Sequence, residues 1–406
     1  MTAIHIENAL LVRPGHWSRS ESVLIEDGRI VGIGSSENPA NEACDRIDAK
    51  GALLTPGLID IHCHGIHQYL YEAQPKDILD AAAVLPHYGT TCVLPTLYTV
   101  MNRSSLSQLE RLSAVLPETS GATMPGFHLE GPFLALPGAG AETVPGDLML
   151  LEEILSACRG RVLAMSVSPD TPNILPIIER LRELNITVFI THTRASVEQT
   201  EAAIAAGARH ATHFYDVFPI PVETEPGARP VGAVETILAD TRLTVDFICD
   251  GVHVHPMAIR AALAAKSWEK IIAITDANIG AGLCEGVYET PWGYSVRVKP
   301  TDAARIADKS HPLHGLLAGS SLTMDRALSN LLKWLDLPAH QVWAMGTINP
   351  ASVVNLKNKG DLRIGADADL VLWDTVDGRL QAAKTWVAGE CVFDAKQQPC
   401  PIGERK

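Results

Sequence analysis

The strongest constraint on this chain is an alternation that fills its middle. Apolar, strand-like runs occur at Leu54–His62, Thr90–Pro95, Met124–Leu129, Val162–Val167, Thr187–Thr191, His210–Phe214, Leu243–Ile248 and Ile271–Thr275. Between them lie segments whose Ala, Leu and Ile recur at helical spacing: Asp77–His87, Leu106–Leu116, Asp147–Ala157, Asn173–Leu184, Ser196–Ala206, Ala233–Ala239 and Pro256–Lys266. Ser196 with Gln199 three residues on reads as a capping box. Strands alternating with helices imply a parallel sheet. Eight is also the number that closes into a (β/α)8 barrel. A doubly wound open sheet is the alternative, and the absence of a glycine-rich phosphate turn after the first run counts against it.

The two ends of the chain have a different texture. Ala3 to Leu11, Ser22 to Glu26 and Arg29 to Gly34 are short β-like runs, as are Asp369–Trp373 and Lys384–Gly389. This pattern predicts a small β-sandwich built from residues 1–54 and 359–406, around a barrel of residues 55–358. After the eighth run comes a long insertion, Ala277 to Gly319. Val287–Thr290 and Tyr294–Val298 read there as a hairpin forming a wall over the barrel mouth. Leu322–Leu335 reads as the eighth helix, followed by helical turns at Ala339–Met345 and Pro350–Leu356.

A formal net charge of −14 argues against nucleic acid or an anionic membrane as the main partner. No apolar run reaches membrane-spanning length, and the N-terminus lacks the basic start and apolar core of a signal peptide. The eight cysteines are dispersed without a CxxC pair, as expected of reduced thiols in the cytoplasm.

Polar residues punctuate the ends of the strands. The first ends in His62 and His64, with Cys63 expected on the opposite face. The third ends in His128-Leu129-Glu130, the fifth in Thr191-His192, the sixth in Thr212-His213, the seventh in Asp250-Gly251-Val252-His253 and the eighth in Asp276. Any one of these, taken alone, is better read as a hydrogen-bonded residue at a loop start. Their recurrence at the C-terminal end of successive strands, where barrel enzymes build their sites, points to a metal centre. Imidazole and carboxylate without thiolate suit zinc, iron, manganese or cobalt. Asp276 is the natural general base and acid beside a metal-activated water. His253 either polarises a substrate carbonyl or pairs with Asp250 as a loop histidine.

Together these stretches resemble the amidohydrolase superfamily, and within it the N-acetylglucosamine-6-phosphate deacetylases. The resemblance is carried by PGLIDIHCHG at Pro56–Gly65, HLEGPFL at His128–Leu134, THT around His192, ATHFYDVF at Ala211–Phe218, CDGVHVHP at Cys249–Pro256, ITDA at Ile274–Ala277, LAGSSLTMDRAL at Leu317–Leu328 and the closing Gly360–Asp374. It implies hydrolysis of an N-acetyl amide on an amino sugar. It implies Glu130, His192 and His213 as ligands of a main metal, most simply zinc, with His62 and His64 serving a second ion bridged by Glu130. Asp276 matches the catalytic aspartate, His253 the histidine near the substrate carbonyl, and Leu317 a substrate contact. Members commonly form homodimers.

The chain departs from that family at three places that face the sugar and its phosphate. Gly140-Ala141-Glu142 replaces a Gly-Ala-His, and Asp216 replaces an asparagine. Glu223-Thr224-Glu225-Pro226-Gly227 replaces a segment with a phosphate-binding arginine, and Arg229 follows in a local insertion. Glu142, Asp216, Thr224 and Arg229 are therefore the candidate specificity residues. Each change removes a phosphate-friendly group, so the reading carries two substrate expectations. One is an N-acetylhexosamine 6-phosphate. The other is an unphosphorylated amino sugar, or another N-acyl or cyclic amide.

Overall fold

The computed structural model describes residues 3–13, 16–34, 44–138, 142–222, 225–299, 302–376 and 379–397. Eight strands form one sheet in chain order: β1 (Leu58–Cys63), β2 (Thr90–Leu97), β3 (Phe127–Glu130), β4 (Val162–Val167), β5 (Thr187–Ile190), β6 (Ala208–Ala211), β7 (Thr244–Ile248) and β8 (Ile271–Ile274). All seven neighbouring pairs run parallel. Every residue of β1 and β2 is buried, so neither strand alternates between a core and a solvent face, and the polar residues they carry, Asp60 and His62 among them, are buried as well. The first and last strands meet through Asp60, which accepts from the Thr275 amide and hydroxyl. The Asp276 N–H also donates to His62 O at 2.9 Å, and the His64 N–H to Ala277 O at 2.8 Å. The structure is therefore a closed (β/α)8 barrel.

The helices follow their strands: α1 (Pro75–Val84), α2 (Leu106–Val115), α3 (Leu148–Ala157), α4 (Ile174–Glu183), α5 (Val197–Ala206), α6 (Ala233–Ala239), α7 (Pro256–Lys266) and, after the insertion, α8 (Met324–Trp334). Their buried faces have the spacing that made them legible. In α4, Ile174, Ile177, Ile178 and Leu181 are buried. The capping box at Ser196 is present, with Gln199 N–H donating to its hydroxyl and Gln199 Oε1 accepting from the Ser196 N–H.

Both termini build a second, eight-stranded sheet, with its own core of Ile6, Leu11, Val23, Ile25, Leu54, Leu370 and Trp386. The run Leu54–His62 is two strands rather than one. Leu53–Pro56 pairs antiparallel with Leu370–Trp373 in the terminal sheet, and β1 begins only at Leu58. Gly57 is the joint. A Cβ there would lie 2.0 Å from Thr91 Oγ1, so only glycine lets the chain pass from one sheet to the other.

The insertion after β8 is a three-stranded antiparallel sheet of Gly286–Glu289, Ser295–Val298 and Arg305–Ile306. Its return segment is stitched to the barrel where Ser320 N–H donates to Asp276 O and Ser320 Oγ to Thr275 O. No helix among the described residues is long and apolar enough to cross a membrane.

Candidate metal centre at the barrel mouth

Three strands deliver their site residue by the same local device. β5 ends at Ile190, β6 at Ala211 and β8 at Ile274. Two residues past each lies His192, His213 or Asp276, and all three have positive φ (48°, 34° and 46°). A non-glycine residue there costs roughly 1–3 kcal/mol, and such strain persists where surrounding contacts enforce it. Here the backbone turns as it leaves the barrel, and the three side chains converge with those of β1 and β3.

The convergence centres on Glu130, the last residue of β3. Its Oε1 lies 3.2 Å from His192 Nε2 and 3.0 Å from His213 Nε2. Its Oε2 lies 3.3 Å from His64 Nε2 and 3.6 Å from His62 Nε2. Asp276 Oδ1 faces the second pair, at 3.2 Å from His64 Nε2 and 3.7 Å from His62 Nε2. Two groups have the compactness of a metal site: His62 with Glu130 and His213, and His62 with His64 and Asp276. Cys63 points away, into the core beside Tyr71.

The hydrogen bonds around the ring nitrogens fix which nitrogen of each ring faces the centre. His62 Nδ1 lies 2.7 Å from Thr212 Oγ1. The Thr212 hydroxyl donates to Asp246 Oδ2 at 2.9 Å, so it accepts from His62 Nδ1–H. His64 Nδ1–H donates to Thr96 O at 3.1 Å. In the neutral tautomer both imidazoles thereby present a bare Nε2 toward the centre, and these two nitrogens are 3.3 Å apart. Lone pairs facing each other and two carboxylates repel unless a cation lies between them. Nitrogen and oxygen donors oriented through their other atoms are the chemistry of a divalent transition-metal site, so the residues fit one.

The charges agree. Burial pulls His64 down, but Asp276 and Glu130 outweigh it and raise its pKa to about 10. Burial likewise opposes at His213, but Glu130, with Asp216 and Asp276, overcomes it, and its pKa also rises to about 10. The acids demand positive charge at this spot. Burial pushes Glu130 up, yet the surrounding histidines hold it well below the carboxylate range. Asp276 is lowered too, because His64, His62 and His213 overcome its burial.

The other candidate residues are placed unequally. His253 Nδ1 lies 2.6 Å from Asp250 Oδ2, the loop pairing that was the alternative to a substrate role, and its ring is nearly buried. Asp216 is half-buried, its carbonyl 3.3 Å from His213 Nδ1, and its charge raises both His213 and His253. Leu317 is half-buried and bridges to Arg305 in the insertion. Glu142 is exposed and accepts from Asn102 Nδ2 at 2.9 Å. Arg229, with 82% of its side chain exposed, donates to Glu235 Oε1 at 2.9 Å. Among the described residues, neither Glu142 nor Arg229 shares a hydrogen bond or ion pair with the cluster. Thr224 lies outside the described residues.

Several contributing residues were not singled out from sequence: Thr96, Thr212 and Asp246 behind the histidines, and Asp60 at the barrel seam. Asp246 accepts from Thr212, from the His213 N–H and from the His210 ring. Burial raises Asp60 to about 7 against the hydrogen bonds of Thr275 and His62. The available signal was a lone carboxylate in each of two buried strands, since a buried carboxylate needs partners. Gly138 has a part as well. A Cβ there would meet His192 Cε1 at 2.7 Å, so the loop after β3 packs its backbone on that imidazole.

Comparison with known proteins follows the same outline. A model of the amidohydrolase family matches residues 53–396. The chain is 30% identical over 390 residues to an N-acetylglucosamine-6-phosphate deacetylase of Lysinibacillus sphaericus, covering 95% of this chain and 96% of that one. It is 28% identical to an N-acetylgalactosamine-6-phosphate deacetylase of Escherichia coli O157:H7, covering 96% and 99%. A solved N-acetyl-D-glucosamine-6-phosphate deacetylase from Mycobacterium smegmatis superposes with a TM-score of 0.81 at 26% identity, covering 97% and 100%. With its barrel, its donor cluster and a family match over most of its length, this chain belongs to the amidohydrolase family of metal-dependent hydrolases.

Proposed function

We propose that this protein is a metal-dependent deacetylase that hydrolyses the N-acetyl amide of an amino sugar. The observation that carries the reading is Glu130, whose two oxygens are shared between the His192–His213 pair and the His62–His64 pair, with Asp276 beside the latter. Relatives along the whole chain are deacetylases of N-acetylhexosamine 6-phosphates. Glu130, His192 and His213 would hold one ion and His62 and His64 a second, with zinc as the simplest occupant. Such ions supply Lewis acidity toward a water and an amide carbonyl.

The chain's own groups do the rest. Asp276 is ionised at neutral pH, so it takes a proton from the attacking water and returns it to the leaving nitrogen. His253, held by Asp250, donates to the substrate carbonyl or a sugar hydroxyl. Burial lowers its pKa, but the Asp250 hydrogen bond and the charges of Asp250, Asp276 and Asp216 together raise it, which favours the protonated donor.

A second reading concerns the sugar. Arg229 is committed to Glu235, and Asp216 adds negative charge beside His213 and His253. Both features favour a substrate without the 6-phosphate. Turnover of N-acetylglucosamine and N-acetylgalactosamine, each with and without the phosphate, together with metal analysis of the purified protein, tests both readings. A strong preference for the phosphates sinks the second. No turnover of any of the four by metal-replete protein sinks the first. The buried free thiols at Cys63, Cys92, Cys158 and Cys249 support a cytoplasmic setting, and the exposed apolar Ile220, Val222 and Val231 support a homodimer.

A further inference from the structure

An N-acyl amide has two unlike ends, a polar sugar and an apolar acyl group, and the barrel mouth is divided in the same way. The polar side lies over β6 and β7, where Asp216 and the Asp250–His253 pair sit. The apolar side lies across the barrel, over β2 and β3. Tyr98 directly follows β2, and its ring meets the His64 ring edge-on, with centroids 4.7 Å apart. Leu134 follows Glu130 on the loop after β3 and packs on Tyr98. The third member of this cluster, Trp292, comes from the insertion after β8.

The path of Trp292 is informative. In the sheet order, β8 adjoins β1, then β2, then β3. A residue from the β8 insertion that touches residues following β2 and β3 has crossed over the end of β1, where His62 and His64 lie. Trp292 sits at the turn between Gly286–Glu289 and Ser295–Val298, the farthest reach of that hairpin. It is braced from behind by Tyr294, stacked at 5.7 Å, which in turn meets His311 at 5.0 Å. The hairpin is anchored by its own apolar cluster of Leu70, Ile279, Val296, Val298 and Ile306. The indole is half-buried, whereas Tyr98 and Leu134 beneath it are buried.

We infer that Trp292, with Tyr98 and Leu134, forms the wall of the acyl subsite and limits the acyl group to a short chain. This rests on the deacetylase reading and adds to it a residue that decides which amide is cut. The leaving sugar points toward the Asp216 and His253 side. The acyl carbons point toward the indole, where each added methylene must displace a braced ring.

The test uses metal-replete enzyme and a series of one amino sugar bearing N-formyl, N-acetyl, N-propionyl or N-butyryl groups. For the wild type, kcat/KM is expected to fall at least tenfold from acetyl to butyryl, within the range one or two methylenes are worth in a shaped pocket. In Trp292→Ala, the butyryl-to-acetyl ratio is expected to rise about tenfold or more. Trp292→Phe should fall between. If the ratio in a folded, metal-replete Trp292→Ala stays within twofold of wild type, the wall is overturned. If that variant does not fold, Leu134→Ala and Trp292→Phe carry the same ratio test. A wild type that cuts the acetyl compound with no dependence on chain length overturns the wall alone. A wild type that cuts none of the four overturns the deacetylase reading and the wall with it.

Discussion

The floor of the barrel mouth and its rim are built on opposite terms. On the floor, His62, His64, Glu130, His192 and His213 are each no more than 6% exposed, and the His62 and His64 rings are held from behind by Thr212, itself bonded to Asp246, and by the Thr96 carbonyl. On the rim, Glu142 and Arg229 are exposed and hydrogen-bond to their own neighbours, Asn102 and Glu235. A buried, over-determined donor set tolerates little error, because every charge in it is out of water and must be balanced by another. An exposed rim pair is screened and contributes little, roughly 0–1 kcal/mol. The contrast separates side chains that are locked in place from side chains free to rearrange, and each side of it can be broken by experiment.

The largest expected effect is on the floor. Asp276→Asn should cut kcat by roughly 10²–10⁴-fold while metal content stays within a factor of two, since the amide keeps the shape but cannot take the proton. Stopped or steady-state kinetics with parallel metal analysis reads both. Full retained turnover removes Asp276 from its role. A loss of bound metal equal to the loss of activity makes it a ligand and nothing more.

One contact further back, Thr212→Val removes the hydroxyl that accepts from His62 Nδ1 and frees the imidazole to rotate or change tautomer. Metal affinity should fall about 10- to 100-fold, read by competition with a chelator. Unchanged affinity would mean that the ring is held by packing and the hydroxyl is idle. The same substitution leaves Asp246 with one donor fewer in a buried position, so thermal stability should also fall, by about 1–3 kcal/mol.

These two predictions also mark how much could be read before any coordinates. His62, His64, Glu130, His192, His213 and Asp276 were legible because strand ends are regular positions, and chemistry repeated at such positions does not arise by scatter. The barrel was legible for the same reason, as eight buried runs separated by helical spacing. Thr212 was read only as a strand end and Asp246 not at all, because a hydroxyl and a carboxylate acquire meaning only from the ring they meet. Gly57 was read through as strand because its role is a contact with Thr91, 34 residues away in the sequence. Trp292 was seen only as part of a hairpin. Its reach across β1 is a tertiary fact. The rim was the least legible part, since exposed loop residues are free to pair locally and nothing in their order says which way they face.

Between floor and rim stands His253, buried like the first and borne on a loop like the second. Burial lowers its pKa, but the Asp250 hydrogen bond together with the charges of Asp250, Asp276 and Asp216 raises it. A raised value means that the pair stabilises the fold fully below the ordinary histidine pKa, and that this contribution is lost as pH rises through the native value. The same sign applies to a donor in catalysis, which is protonated on the acid side and lost on the alkaline side. Asp250→Asn should therefore move the alkaline limb of kcat/KM to lower pH and reduce it roughly tenfold near neutrality, the worth of one charged hydrogen bond. A limb that stays in place would make His253 a structural residue.

The smallest expected effect tests the rim directly. Arg229 is 82% exposed and its guanidinium is held by Glu235, which also caps α6 by accepting from the Gly232 N–H. If that pairing describes its role, Arg229→Ala should change kcat/KM for both the free and the 6-phosphorylated sugar by less than about twofold, in keeping with the small worth of exposed ion pairs. A phosphate-specific loss of tenfold or more would show instead that Arg229 leaves Glu235 to meet the substrate. The rim would then be a part of the site that forms on binding, the 6-phosphate would be the recognised group, and Asp216 would have to be explained by something other than its charge.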